Sequence, residues 1–149
     1  ALGGTFDIIH VGHIALIQKA VSISEKIIIG LTSDSFISKN HQKNINNFQQ
    51  RFENLEKIIH ENFPDCSFEI VKLDDDFGPA VIEGGVDALV VSEETSKKGD
   101  ILNALRKERN LDPVEIIIVP MKMASDGNRI SSTRIRNSEI DSSGNILVD

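Results

Sequence analysis

The 149-residue chain is predicted to fold as an α/β domain, a Rossmann-like doubly wound parallel sheet of about five strands in a three-layer α/β/α arrangement. Short runs rich in valine and isoleucine alternate with segments whose apolar residues recur every three or four positions. The runs are almost continuously apolar, which is typical of strands buried on both faces of a parallel sheet. Because no repeat, low-complexity tract or linker divides the chain, we predict a single domain over residues 1–149.

The strands are expected at Lys26–Leu31, Ser67–Leu73, Asp87–Val91 and Val114–Val119, with a short first strand that ends at Leu2. That first run looks clipped, so we expect native residues upstream of it. In a sheet of this kind, ligands bind where the carboxyl ends of the strands feed into helices. Polar motifs that directly follow these strands are therefore the candidates for a functional site.

Apolar residues at helical spacing mark the helices between the strands. The first helix is expected to begin near His13, and a longer helix carries the apolar face of residues 52–63. Residues 101–105 mark another helix with Asn110 as its C-terminal stop, and a shorter helix is expected between Phe77 and Glu83.

Composition narrows the classes of function. A net charge of −7 argues against a nucleic-acid-binding surface, which is usually basic. The apolar runs are too short to span a bilayer, and no signal-peptide pattern opens the chain. Cys66 is the single cysteine, so disulfides cannot staple the fold. We expect a cytoplasmic protein with no nucleic-acid or membrane partner; the oligomeric state is open, with a monomer preferred.

The segment from Gly3 to His13 reads Gly-Gly-Thr-Phe-Asp-Ile-Ile-His-Val-Gly-His and joins the first strand to the first helix. Its glycines allow the backbone to approach a ligand closely, and a helix N-terminus favours an anion. His10 and His13 can donate hydrogen bonds to a polyphosphate as negative charge develops on it. The alternatives are ordinary surface or capping histidines. A metal site is not predicted, because no third ligand of suitable type lies nearby.

The second motif runs from Asp126 to Arg136 and reads Asp-Gly-Asn-Arg-Ile-Ser-Ser-Thr-Arg-Ile-Arg. It begins as a polar loop, and its hydroxyl residues are expected to open the last helix. Ser131 or Ser132 is a suitable N-cap, and hydroxyls together with exposed N–H groups can hold phosphate oxygens. Arg134 and Arg136 add positive charge. The alternative is a capped surface helix that carries a few arginines.

Taken together, the two segments resemble the paired signatures of the nucleotidyltransferase superfamily, Gly-Thr-Phe-Asp…His-x-Gly-His and Ile-Ser-Ser-Thr-x-x-Arg, and the resemblance covers nearly the whole chain. It implies that His13 contacts the nucleotide phosphates and stabilises the pentacovalent transition state. It also implies that Thr5 orients the acceptor phosphate. The further nucleotide-binding residues that it implies are Gly4, Phe6, His10, Gly12, Ser131, Ser132, Thr133 and Arg136.

The string Val-Ser-Glu-Glu-Thr at the end of the fourth strand looks like the Val-Ser-x-Glu-Thr string of archaeal and eukaryotic-type phosphopantetheine adenylyltransferases. The segment from Leu73 to Ala80 also resembles their pattern. The acceptor-binding residues implied by these resemblances are Thr5, Asp7, Lys43, Ser92, Glu94, Thr95 and Arg106. The alternative for the acidic pair at 93–94 is that it caps the next helix and favours its N-terminus.

A catalytic lysine is implied by the resemblance to the bacterial enzymes, in which a lysine upstream of an arginine such as Arg51 bridges the two reacting phosphates. Lys43 is the candidate and Lys39 the alternative; both could instead belong to a solvated loop. The carboxylates at 74–76 are expected to cap a helix or stay solvated. Mg²⁺ is expected to arrive bound to ATP with few protein ligands.

The function implied is transfer of the adenylyl group of ATP to 4′-phosphopantetheine, giving dephospho-coenzyme A and pyrophosphate. Catalysis would come from alignment and charge stabilisation. One alternative is a cytidylyltransferase acting on a small phosphorylated alcohol such as glycerol 3-phosphate, since those enzymes share the first signature. The other is a non-catalytic nucleotide-binding module.

Overall fold

A computed structural model describes residues 1–39, 45–78 and 85–147 of the chain. Within these ranges it contains five parallel strands with helices between most of them. In chain order, the elements are β1 (Leu2–Gly4), α1 (Val11–Ile23), β2 (Lys26–Thr32), α2 (Asp34–Lys39), α3 (Phe48–Asn62), β3 (Ser67–Leu73), β4 (Ala88–Ser92), α4 (Lys97–Glu108), β5 (Glu115–Val119) and α5 (Ser132–Arg136). Lys43 and most of the helix expected between Phe77 and Glu83 lie outside the described residues.

The strands are all parallel where they pair, and they form two hydrogen-bonded groups. β2 lies between β1 and β3, and β4 pairs with β5. The two groups meet at Ala1, whose amine donates to the Ala88 carbonyl oxygen and whose carbonyl oxygen accepts from the Val90 N–H, each at 2.8 Å. The resulting order is β3-β2-β1-β4-β5, so the carboxyl ends of the strands share one edge. The α/β fold class is confirmed.

Helices cover both faces of the sheet because alternate residues of each strand point in opposite directions. Val90 of β4 belongs to a core that also holds Ile17 of α1 and Leu55 of α3. Its neighbours Leu89 and Val91 point to the other face, where they belong to a second core with Leu102 of α4. This arrangement confirms the three layers. Within the described ranges, none of the helices has the length and apolar character needed to cross a membrane.

Three boundaries differ from the sequence-based expectation. β1 continues past Leu2 to Gly4, because the backbone groups of Gly3 and Gly4 pair with β2 whatever their side chains are. α1 begins at Val11 rather than near His13, because the side chain of His10 caps it. α2 was not expected: at six residues it is too short to show a helical period, although the backbone N–H of Phe36 bonds the Ser33 hydroxyl at 3.1 Å.

Other boundaries agree closely with the pattern. Asn110 adopts the left-handed conformation, with φ of 56°, just after α4 ends, as a C-terminal stop should. Ser131 is the N-cap of α5, and its hydroxyl accepts from the backbone N–H of Arg134 at 3.2 Å. Both motifs therefore lie next to helix starts at the carboxyl edge of the sheet.

Candidate active site

A cleft of about 440 Å³ opens at the carboxyl edge of the sheet, between the loop after β1 and the start of α5. The two motifs, which lie at opposite ends of the sequence, face each other across it. Most of the residues predicted for the site line this cleft: Gly4, Thr5, Phe6, Asp7, His10, Gly12, His13, Ser92, Glu94, Thr95, Ser131, Ser132, Thr133 and Arg136. The cleft has the position expected of a ligand site in a doubly wound fold.

His10 and His13 form a reciprocal cap at the start of α1. The backbone N–H of Gly12 donates to Nδ1 of His10 at 3.1 Å, and the backbone N–H of His10 donates to Nδ1 of His13 at 3.2 Å. The two rings stack with their centroids 3.9 Å apart. Because each Nδ1 accepts a hydrogen bond, the proton of each neutral imidazole resides on Nε2. The cleft is therefore lined by two rings whose available donor is Nε2–H.

Burial keeps both imidazoles neutral. Desolvation, with a smaller contribution from the charge of Arg129, lowers the pKa of His10 to about 4. Desolvation, followed by the proximity of His10, lowers the pKa of His13 to about 3. At neutral pH both rings are therefore uncharged, and each has one N–H, on Nε2, to donate.

The backbone N–H groups at the N-terminus of α1 offer fewer hydrogen-bond donors to an anion than the sequence suggested. The N–H of Val11 donates to the Ser142 carbonyl oxygen at 3.1 Å, and the N–H of Gly12 is taken by His10. Two of the N–H groups expected to bind an anion are therefore already satisfied within the chain. The imidazole Nε2–H groups take their place as donors.

Phe6 shapes the floor of the cleft. It is buried, with 2% of its surface exposed, and its backbone is left-handed with φ of 47°. Its ring lies 5.0 Å from the ring of His13, measured between centroids. A Cβ on Gly4 would lie 3.2 Å from the Phe6 ring. The glycine thus leaves room for the ring that supports His13.

Thr5 is held by Arg51, a residue whose role in the site was not predicted. The guanidinium of Arg51 is fully buried and donates to the carbonyl oxygens of Thr5 at 3.1 Å and Asn46 at 2.8 Å. It also forms an ion pair with Asp34, with 3.0 Å between Nη2 and Oδ1. The hydroxyl of Thr32 donates to that of Thr5 at 3.3 Å. Arg51 therefore joins the loops after β1 and β2 to the start of α3.

Asp7 and Arg136 form a partly buried ion pair that connects the two motifs. Oδ2 of Asp7 accepts from Nε of Arg136 at 3.1 Å and lies 2.9 Å from its Nη2. Oδ1 of Asp7 accepts from the backbone N–H of Asn46 at 2.9 Å. Both oxygens of this buried carboxylate are thus engaged within the protein. Asp7, predicted to bind the acceptor, fixes Arg136 in this structure.

The start of α5 is attached to the first motif by Ser132. Its hydroxyl donates to the Ile8 carbonyl oxygen at 2.9 Å and accepts from the Ile8 N–H at 3.3 Å. Arg134 is directed away from the cleft and pairs with Asp126 and Glu139. Arg136 therefore contributes to the cleft, whereas Arg134 stabilises the loop before α5.

The turn after β4 faces the cleft and is held by hydrogen bonds between Ser92 and Thr95. The hydroxyls of Ser92 and Thr95 lie 3.1 Å apart, and each also accepts a hydrogen bond from the other residue's backbone N–H, at 3.3 and 3.2 Å. Glu94 in this turn pairs with Arg129 of the loop before α5. This ion pair crosses the mouth of the cleft. Lys122 and Ile45 also line the cleft, and no recognisable motif marked them; Arg129 lies within the second motif, but no role was predicted for it.

Arg106 is not brought to the cleft, which corrects its prediction as an acceptor ligand. It lies near the C-terminal end of α4, at the opposite edge of the sheet, and is buried. Its Nε donates to the carbonyl oxygen of Asp112 at 2.7 Å. Arg106 thereby holds the loop that leads into β5. Arg106 matches the family pattern in sequence, but in the structure it contacts the backbone of the loop before β5.

A second, smaller cavity of about 80 Å³ adjoins the first and shares Gly4, Ser92 and Thr95 with it. Its lining is largely apolar and includes Leu73, Phe77, Leu89 and Val91. A Cβ on Gly30 of β2 would lie 2.4 Å from Cδ1 of Leu73. Strand β2 therefore needs a residue without a side chain where it passes beneath the cavity. The site therefore consists of a main cleft, which carries the polar motif residues, and a smaller annex with a more apolar lining.

Comparisons with known proteins agree with this geometry. The family model of the cytidylyltransferase-like proteins matches residues 1–138. A Methanosarcina barkeri protein named phosphopantetheine adenylyltransferase is 44% identical, over 98% of this chain and 91% of that protein. A protein of the same name from Methanopyrus kandleri is 35% identical, over 94% of this chain and 88% of that protein.

Among solved structures, a protein of unknown function from Archaeoglobus fulgidus is 31% identical and superposes with a TM-score of 0.72, over 79% of this chain and 86% of that one. The fold, the paired motifs and the relatives lead to one assignment. The chain belongs to the cytidylyltransferase-like family and, within it, to the phosphopantetheine adenylyltransferases.

Proposed function

We propose that the protein transfers the adenylyl group of ATP to 4′-phosphopantetheine in the synthesis of coenzyme A. An oxygen of the acceptor phosphate attacks the α-phosphorus of ATP, and a new P–O bond forms as the bond to the β-phosphate breaks. The products are dephospho-coenzyme A and pyrophosphate. The acceptor phosphate is already ionised at neutral pH, so the step requires no general base.

The observation that carries this proposal is the pair of neutral imidazoles facing the second motif. Charge accumulates on the oxygens around the α-phosphorus in the transition state, and donors fixed beforehand stabilise it without reorganising. His13 is the more buried of the pair, and its Nδ1 is held by the backbone of His10. We assign His13 Nε2–H to the transition state and His10, Ser131, Thr133 and Arg136 to binding of the nucleotide phosphates.

The acceptor is assigned to the side of the cleft that adjoins the apolar annex. The phosphate of phosphopantetheine is followed by a methylene group and then by a carbon that bears two methyl groups. Leu73 and Phe77 offer apolar surface for that carbon next to Ser92 and Thr95. The hydroxyl of Thr5 accepts a hydrogen bond from that of Thr32, which lines the annex, and Arg51 fixes the backbone of Thr5. The relatives named phosphopantetheine adenylyltransferase favour this acceptor over a small phosphorylated alcohol.

The residues of the cleft fit a magnesium ion that enters with ATP. Within the described ranges, no group of three or more histidine, cysteine or acidic residues could hold a metal ion. The carboxylates that line the cleft, Asp7 and Glu94, are each paired with an arginine. When bound to ATP, Mg²⁺ would neutralise part of the negative charge of the triphosphate. We further propose that Lys43 bridges the reacting phosphates and that the enzyme works as a monomer in the cytoplasm.

Pyrophosphate release tests the proposal. MgATP with 4′-phosphopantetheine, MgCTP with glycerol 3-phosphate and MgATP with nicotinamide mononucleotide are compared under the same conditions. We expect turnover with the first pair alone. Release from MgCTP with glycerol 3-phosphate would move the enzyme to the cytidylyltransferases. ATP binding without release from any pair would identify a non-catalytic nucleotide-binding module.

A further inference from the structure

The ion pair between Arg129 and Glu94 spans the mouth of the cleft from one loop to another. Arg129 belongs to the loop before α5, and Glu94 belongs to the turn after β4. Both side chains line the cleft, and about half of each is exposed, 52% for Arg129 and 49% for Glu94. The mechanism derived above uses neither residue.

The backbone of Arg129 is fixed although its side chain is exposed. Arg129 forms an antiparallel bridge with Met123, and its carbonyl oxygen accepts from Nη1 of Arg134 at 2.9 Å. The next residue, Ile130, is buried in a small core with Ala124 and Ile140. The backbone of Arg129 is therefore anchored, while its half-exposed guanidinium lines the cleft.

The same guanidinium lies close enough to the nucleotide-binding histidines to act on them, since its charge contributes to the lowered pKa of His10. An ion pair as exposed as Arg129–Glu94 is weak, because water and salt screen it. A triphosphate carries several negative charges and offers the bidentate oxygen pairs that a guanidinium prefers. A triphosphate in the cleft would therefore compete successfully with the single carboxylate of Glu94.

The position at the mouth distinguishes among the phosphates. The α-phosphorus must be reached by the acceptor inside the cleft, next to Thr5 and the histidines. The β- and γ-phosphates become pyrophosphate, which leaves toward solvent. A cation at the rim is placed for those outer phosphates.

We propose that Arg129 is a further nucleotide-binding residue: Glu94 holds its guanidinium over the cleft in the free enzyme, and the guanidinium transfers to the β- and γ-phosphates when ATP binds. This inference rests on the proposed function, because it requires a triphosphate in the cleft. It also reassigns Glu94, which becomes a positioning partner of Arg129 rather than a ligand of the acceptor.

The test measures binding of MgATP and of AMP by calorimetry, together with the KM for pyrophosphate in the reverse reaction. Arg129→Gln removes the charge at similar length. We expect it to weaken MgATP binding at least tenfold, to raise the KM for pyrophosphate similarly, and to leave AMP binding within twofold. Arg129→Lys keeps the charge without the planar fork and should recover part of the loss. Arg109→Gln, on the exposed end of α4, is the matched control and should match the wild type.

Glu94→Gln separates the two roles of the carboxylate. We expect MgATP to bind as tightly as to the wild type or a fewfold more tightly, because the competitor is gone, with the KM for phosphopantetheine unchanged. A raised KM for phosphopantetheine would return Glu94 to the acceptor site. Equal MgATP binding by Arg129→Gln and wild type, or an equal loss for AMP and MgATP, would overturn the role of Arg129 alone. A wild-type protein that binds no MgATP would overturn the proposed function as well.

Discussion

Replacing His13 with asparagine and with glutamine separates its two ring nitrogens. Nδ1 of His13 accepts the backbone N–H of His10 at 3.2 Å, while Nε2–H is the donor assigned to the transition state. The amide oxygen of asparagine reaches approximately the place of Nδ1. The amide nitrogen of glutamine reaches approximately the place of Nε2. Each substitution therefore preserves one function of the ring and removes the other.

The expected magnitudes follow from these contacts. His13→Asn keeps the helix cap but loses the donor, and removing one such donor lowers kcat by roughly 10²–10³-fold, or about 2.7–4 kcal/mol. His13→Gln keeps a donor, so kcat should stay within about tenfold of the wild type. It loses the bond to His10, and a lost cap reduces the free energy of unfolding by about 0.5–2 kcal/mol.

The assay combines kcat for pyrophosphate release, calorimetric binding of MgATP and urea unfolding of each variant. His60→Asn, an exposed histidine in the last turn of α3, is the matched control and should match wild-type kcat. Two results would refute the reasoning. One is wild-type kcat in His13→Asn, and the other is an equal loss of kcat in both variants.

Three further predictions concern stability and the shape of the site. Burial lowers the pKa of His10 to about 4 and that of His13 to about 3, so below pH 6.5 the unfolded chain binds more protons than the folded protein. The free energy of unfolding should therefore fall as the pH drops from 6.5 toward 3, which urea unfolding at pH 7.5 and 5.0 checks. A His13→Asn variant should show a shallower fall. Gly12→Ala places a Cβ 2.8 Å from Cε1 of His10 and should displace that ring, so MgATP binding and kcat should both fall. An unchanged kcat would show that the His10 ring can move aside without loss of function. Arg51→Met leaves the carbonyl oxygens of Thr5 and Asn46 without their donor, so it should lower the free energy of unfolding by about 3 kcal/mol. Chemical denaturation measures this loss, and a loss below about 1 kcal/mol would contradict the role of Arg51 in joining the two loops.

The sequence predicts the fold well because the relevant signals are local. The apolar run at Ser67–Leu73 is the strand that the structure has, and Asn110 ends its helix in the left-handed conformation. α2 escaped prediction because six residues cannot display a helical period, and β1 was cut short because glycines carry no strand propensity of their own. Pairing with β2, which is not local, decides the fate of those glycines.

The site residues that belong to a motif were predicted from the sequence. The residues whose role depends only on contacts between distant parts of the chain were missed. His13 and Arg136 belong to strings that mark a phosphate site. Arg129 and Arg51 lie in segments that the sequence analysis considered, but no site role was predicted for either. Their contacts are with partners 35 and 46 positions away in the chain, Glu94 and Thr5. Arg106 shows the reverse case: it matched a pattern, but the helix that carries it ends at the opposite edge of the sheet.

The attack of the acceptor phosphate on ATP is the central claim, and an isotope experiment tests it directly. Phosphopantetheine labelled with ¹⁸O in the terminal oxygens of its phosphate is incubated with unlabelled MgATP and the enzyme, and the products are analysed by mass spectrometry. We expect dephospho-coenzyme A to keep all of the label, including that in the bridging oxygen, and pyrophosphate to carry none. Label in pyrophosphate, or AMP and pyrophosphate without dephospho-coenzyme A, would contradict the claim.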